Sequence, residues 1–236
     1  MPRLTTYLSS AADRDLEVAP YGEVTQTLAT MVGHPEYPCL GARSVFRSDR
    51  AQIEVLEEMG GPEDLAELSD RLHEFGRDTD PDGGFASLIA VFRSPEPTSE
   101  EQFESLLWGV LRDLDDGDDQ PWAGGVSSDP VQPHFAFSHG GTAFFVVGLH
   151  PAASRIARRA PLPTLVFNLH QQFENLRTGG GFDRMRDAIR TRDARLQGWV
   201  NPMAEDHGNN SEARQYSGRQ VPQDWVPPFT PREGDE

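Results

Sequence analysis

Two apolar runs that each lead toward a histidine constrain this chain more than any other feature. Phe144–Leu149 immediately precedes His150, and Thr164–Phe167 runs on toward His170. Three arginines, Arg155, Arg158 and Arg159, stand between them. Short apolar runs rich in valine, leucine and phenylalanine, bounded by glycine or proline, read as buried strands. Imidazoles at the ends of buried strands, beside fixed positive charge, suit a metal ion or an anionic cofactor. The chemistry of the chain is therefore expected in this stretch.

The surrounding pattern predicts helices over Tyr21–Met31, Pro62–Phe75, Ser99–Leu114, His170–Arg177 and Asp183–Leu196. The second begins with Pro62, Glu63 and Asp64, a favourable first turn. Arg43–Arg47 is expected to be extended, Phe85–Phe92 a buried strand and Thr164–Asn168 another. Phe135–Ser138 and Thr142–Leu149 flank His139-Gly140-Gly141 and predict a β-hairpin. The expected fold class is α+β, a single domain with a mixed or mainly antiparallel sheet covered by helices. Residues 1–20 are expected as an N-terminal arm, 21–229 as the domain and 230–236 as a mobile tail. The polar stretch from residue 198 is expected to wrap the core.

At 236 residues the chain can bury one large core without covalent staples. Its single cysteine, Cys39, excludes an intramolecular disulfide framework and fits a reducing compartment. The first residues lack an apolar signal region, and no apolar run approaches the roughly 20 residues of a membrane span. A cytoplasmic location without a membrane partner is expected. All 21 basic residues are arginine and the formal charge is −17. The charge is uneven: residues 1–130 hold 9 arginines against 27 acids, and residues 131–236 hold 12 against 11. That acidic half disfavours nucleic acid and is compatible with a cationic small molecule.

Seven histidines are present: His34, His73, His134, His139, His150, His170 and His207. No H-E-x-x-H helix motif and no Cys-x-x-Cys pair occurs, which argues against a structural zinc site. A two-histidine, one-carboxylate iron site remains open, because its ligands can come from distant segments. His150 has the best setting for an axial ligand: it follows an apolar run and precedes Pro151, with a helix expected to begin near Ser154. A helix N-terminus beside arginines suits heme propionates or a phosphorylated substrate. Cys39 is a candidate thiolate ligand or nucleophile, or a packed apolar turn residue. Glu212 can anchor a guanidinium or amine, or pair with an arginine of the chain.

Several runs resemble one family. His34-Pro35-x-Tyr37-Pro38-Cys39-x-Gly41-Ala42 is similar to the FPC motif of the YqcI/YcgG family, with Tyr37 in place of phenylalanine. FxFSxGGxxFFVVGLHPxxSRxARR over 135–159, LVFNxHxQFExLR over 165–177, and QGxxNPM with SEARQYSGR over 197–219 resemble the same family. The family's CPF motif is matched by Pro227-Pro228-Phe229, so its cysteine is missing here. Characterised enzymes of the family are heme-dependent N-hydroxylases of guanidino groups. The resemblance therefore implies protoheme (heme b), dioxygen or hydrogen peroxide as oxidant, an arginine-like substrate and room for a redox partner. In that scheme His150 holds the iron and Arg155, Arg158 or Arg159 pairs with the propionates. Phe144, Val146 and Phe167 are candidate apolar walls, depending on which strand face meets the cofactor. Glu212 anchors the substrate, and His170 or His34 is distal or replaces His150 as ligand. The alternatives are a non-catalytic heme-binding protein, a non-catalytic interaction protein whose histidines and arginines are core and surface pairs, and a non-heme iron oxygenase.

Overall fold

The computed structural model describes residues 2–199 and 210–232. Three helices come first: α1 (Leu4–Ala12), α2 (Tyr21–Gly33) and α3 (Leu40–Arg47). Strand β1 (Ala51–Glu58), helix α4 (Pro62–Asp78) and strand β2 (Ser87–Ser94) follow as a parallel crossover. Helix α5 (Glu100–Gly117) leads to β3 (Phe137–His139), β4 (Thr142–Leu149) and β5 (Thr164–Leu169). Helices α6 (His170–Thr178) and α7 (Phe182–Gln197) close the series. The sheet order is β1-β2-β5-β4-β3, and every pairing except β1 with β2 is antiparallel. The expected α+β fold with a mixed sheet is what the chain adopts.

Both faces of this sheet are covered, and strand alternation sorts the side chains between them. Leu88, Ala90 and Phe92 of β2, Phe144 and Val146 of β4, and Leu165 and Phe167 of β5 share one core with α4 and α5. Ile89 and Val91 of β2, with Val147 and Leu149 of β4, belong to a second core with α1 and α2. Gly148 lies on the first face because α5 presses there: a Cβ would come 2.5 Å from Phe103 and 2.9 Å from Leu107. The α1 helix anchors the start of the chain, with Leu4 and Ala11 fully buried.

Local chemistry explains the boundaries. Pro62 opens α4, and the Asp64 carboxylate accepts the N–H groups of Glu57 and Glu58 at the end of β1. Ser99 caps α5 by accepting from the Gln102 N–H at 3.2 Å. The segment expected to be extended at Arg43–Arg47 is helical instead. Cys39 stands at its N-cap, and its sulfur accepts from the Ala42 N–H at 3.4 Å. Strand β1 was not anticipated, although Ile53 and Val55 alternate with glutamates. The hairpin turns on Gly140 and Gly141, both with positive φ (59° and 69°), which favours glycine. The helix expected to begin at Ser154 is a single 3-10 turn, Ile156–Arg158.

Residues 210–232 lie across the first core. Tyr216 is fully buried there, its hydroxyl accepting from the Phe137 N–H and donating to the Phe144 carbonyl. Ser217 donates to Glu104 Oε1, and Arg219 donates to Glu104 Oε2. Phe229 packs among Trp108, Trp122, Phe135 and Phe137. The sequence expectations for His207, most of the 197–203 run and the last residues, 233–236, fall outside the described residues.

Candidate functional site

The second face of the sheet is not packed shut. A cavity of about 330 Å³ lies there, with Ile89, Phe145, Val147 and Val166 of the sheet on one side. Met31 and Val32 of α2, Ala42 and Val45 of α3, and Ile189 of α7 help enclose it. This size and apolar lining are those of a small-molecule or cofactor site.

Its polar groups converge from distant parts of the chain. Cys39 and Tyr37 line it at the N-terminus of α3. Burial pushes the Cys39 thiol up, while the Ala42 and Gly41 N–H groups and Arg158 pull it down. Burial likewise raises the Tyr37 phenol, with Cys39 adding to the effect. Among the described residues six arginines contribute: Arg155, Arg158, Arg177, Arg186, Arg190 and Arg214. Two buried carboxylates, Asp193 and Glu212, face them. Arg155 donates to Asp193 Oδ2 at 2.9 Å, and Arg177 donates to Glu212 Oε1 at 3.3 Å. Asp193 Oδ1 is buried without a hydrogen-bond partner. Arg158 spends its guanidinium on the carbonyls of Gly148, Gln215 and Tyr216, tying β4 to the C-terminal segment. Burial, then the neighbouring Arg155, lowers its pKa to about 10.

The structure thus brings together Arg155, Arg158 and Glu212 of the residues singled out from sequence, together with Cys39. None of the described histidines lines the cavity. His150 continues the alternation of Phe144, Val146 and Gly148, so its ring points to α5 and stacks on Phe103 with centroids 4.2 Å apart. Its Nδ1 is buried without a hydrogen-bond partner, and burial lowers its pKa to about 4. His34 caps α2, with Nε2 at 2.9 Å from the Pro2 carbonyl and Nδ1 accepting from the Glu36 N–H. His170 lies on a second, more polar depression shared with His134 and Glu174. Arg159 donates to the Ala153 and Ser154 carbonyls and does not line the cavity. Phe144, Val146 and Phe167 face the closed core, whereas their neighbours Phe145, Val147 and Val166 form the cavity wall.

Asp193 was missed by sequence reasoning, yet a signal existed. Arg186, Ile189, Arg190 and Asp193 recur at helical spacing and form one cavity-facing stripe of α7. A stripe so rich in charge is read as solvent-exposed until the cavity beneath it is known.

Comparison with known proteins agrees with the motifs. The model of the YqcI/YcgG family matches residues 28–230. The chain belongs to the YqcI/YcgG family. YqcI of Bacillus subtilis strain 168 is 31% identical over 66% of this chain, and the match spans 64% of that relative's length. YcgG of the same strain is 28% identical over 76% of this chain and 75% of its own. Both are named only as uncharacterized proteins. A Streptomyces lavendulae protein named "Putative N(omega)-hydroxy-L-arginine synthase DcsA" is 28% identical over 78% of this chain and 72% of its own. No solved structure matches. No described helix is long and apolar enough to cross a membrane.

Proposed function

We propose that this chain is a heme-dependent N-hydroxylase of a small guanidine- or amine-bearing molecule, and that the cavity on the second sheet face is its active site. The supporting observation is that a thiol, several arginines and two buried carboxylates converge on one apolar cavity. The relationship to a family member named for N-hydroxyarginine synthesis supports the reaction class.

The residues present fit protoheme. The walls are apolar, arginines are at hand for the macrocycle's carboxylates, and Cys39 offers the sulfur donor that heme enzymes of the thiolate class use. Cys39 would take this role in place of His150, whose ring stacks on Phe103 on the other side of the sheet. A metal bound at the sulfur would favour the thiolate over the neutral thiol that burial favours. Bound heme supplies oxygen-atom transfer to an N–H nitrogen, using dioxygen and two reducing equivalents, or hydrogen peroxide.

The chain's own work is binding and orientation. Asp193 and Glu212 already pair with guanidinium groups, those of Arg155 and Arg177, so a substrate guanidinium finds a matching contact. The unpartnered Asp193 Oδ1 is a ready acceptor. Phe145, Val147 and Val166 keep water from the reacting nitrogen.

Protein produced with ample haemin and purified should carry a porphyrin absorption spectrum. Its ferrous–carbonyl complex should have the red-shifted band of a thiolate ligand. Cys39→Ala should lose that band, while His150→Leu should keep it. Arginine or a simple guanidine, supplied with an electron source or peroxide, should gain one oxygen atom by mass. Asp193→Asn and Glu212→Gln should each raise KM at least tenfold. Colourless protein under these conditions sinks the proposal, and loss of the heme in His150→Leu alone returns the ligand to histidine.

A further inference from the structure

Away from the cavity, on the other side of the sheet, three side chains from distant parts of the chain converge: His73 of α4, Asp118 at the end of α5, and His139 at the end of β3. We propose that they form a binding site for a divalent transition-metal ion of the zinc type, which clasps the hairpin turn to α4 and α5. The site is independent of the reading of the cavity, and none of its three residues lines that cavity.

The geometry is that of a site whose partners are set. His139 is fully buried. Its Nε2 lies 2.9 Å from Ser69 Oγ, while its Nδ1 has no hydrogen-bond partner. The Nδ1 atom sits 3.7 Å from Asp118 Oδ2, too far for a hydrogen bond. When Nε2 carries the proton and donates it to Ser69, the Nδ1 lone pair faces Asp118; when Nδ1 carries it, the ring can donate to the Leu114 carbonyl instead. An imidazole whose remote nitrogen is held by a fixed partner is how a histidine ligand is oriented for a metal. In the form protonated on Nε2, a cation between Nδ1 and the carboxylate satisfies both groups at once.

Asp118 is held as firmly. Its Oδ1 accepts from the Gln120 N–H at 3.0 Å and its Oδ2 from the Gly140 N–H at 2.7 Å. Both oxygens keep further lone pairs. His73 completes the set, with Nε2 3.8 Å from Asp118 Oδ1 and its ring edge-on to His139 at 4.8 Å between centroids. The ring rests against Gly140, where a Cβ would come within 3.2 Å of it. The turn glycine therefore serves the histidine as well as the hairpin.

One donor atom from each residue lies within 4.8 Å of the other two. A metal with bonds of about 2.1 Å needs donors roughly 3–4 Å apart. Because the His73 side chain is 39% exposed, it can close the difference by a small rotation, whereas Asp118 and His139 are fixed. Two imidazoles and one carboxylate select zinc and its neighbours over calcium or magnesium, which prefer oxygen. The exposed side by His73 leaves water to fill the remaining position.

The test uses the full-length, untagged chain, stripped of metal by chelator and dialysed, with Zn²⁺ as the probe. Calorimetric titration should give one equivalent of tight binding, accompanied by a rise in Tm. His73→Ala and Asp118→Asn, which change a half-exposed and an isosteric side chain, should fold but weaken Zn²⁺ binding at least tenfold and abolish the rise in Tm. His134→Ala should bind as the parent does. Absence of binding by the parent overturns the site, as does undiminished binding by both His73→Ala and Asp118→Asn.

Discussion

At the scale of single residues, His150 shows how burial fixes a protonation state. Its ring is stacked on Phe103, with Glu100 and Arg158 as the charged groups that influence it. Burial lowers its pKa from 6.5 to about 4, so the folded protein keeps it neutral. The unfolded chain binds a proton below about pH 6.5 that the folded chain refuses, so stability falls as pH drops toward 4 and levels off below. His150→Leu should therefore flatten the decline in urea midpoint between pH 7 and pH 4.5 relative to the parent. Parallel declines would show that the ring is not held neutral.

At the scale of elements, the contact between α5 and β4 depends on an absent side chain. Phe103 and Leu107 occupy the space where Gly148 would carry a Cβ. Gly148→Ala should cost about 1–3 kcal/mol through overpacking, read as a lower Tm. The φ of Gly148 is not in the left-handed region, so backbone strain plays no part and the loss isolates the packing term. The elements themselves were largely legible. Helices α4 and α5 announce themselves by apolar spacing and by their first turns, and β4 and β5 by their apolar runs. Helix α3 was not, because its cap is a cysteine sulfur, a donor-acceptor role that composition does not signal.

At the scale of the whole molecule, the segment 210–232 acts as a clasp. Glu104 of α5 is buried and receives hydrogen bonds from Ser217 and Arg219. Charged hydrogen bonds of this kind contribute more than surface pairs. Glu104→Gln should lower stability by about 2 kcal/mol and speed proteolysis within 210–232. Glu101, whose side chain is 70% exposed and which meets the same arginine at 3.9 Å, is the control. Glu101→Gln should change stability by less than about 0.5 kcal/mol. Equal effects from the two would show that burial does not govern this clasp.

The candidate site divides along the same lines. Arg155, Arg158 and Glu212 were recognisable as a charged set because residue type and motif mark them. Which strand face they serve was not, because β4 reads FFVVGL and is apolar on both faces. Period-two alternation assigns residues to faces but cannot say which face will be filled by helix side chains and which left open. The sequence by itself determined four of the five strands, most helices, the covered mixed sheet and the arginine-rich setting. Only the tertiary structure decided that α5 fills the side toward which His150 points, leaving the cavity to Cys39, Asp193 and Glu212 on the other. Packing of distant segments makes that choice, through contacts such as Phe103 on Gly148 that no local pattern encodes.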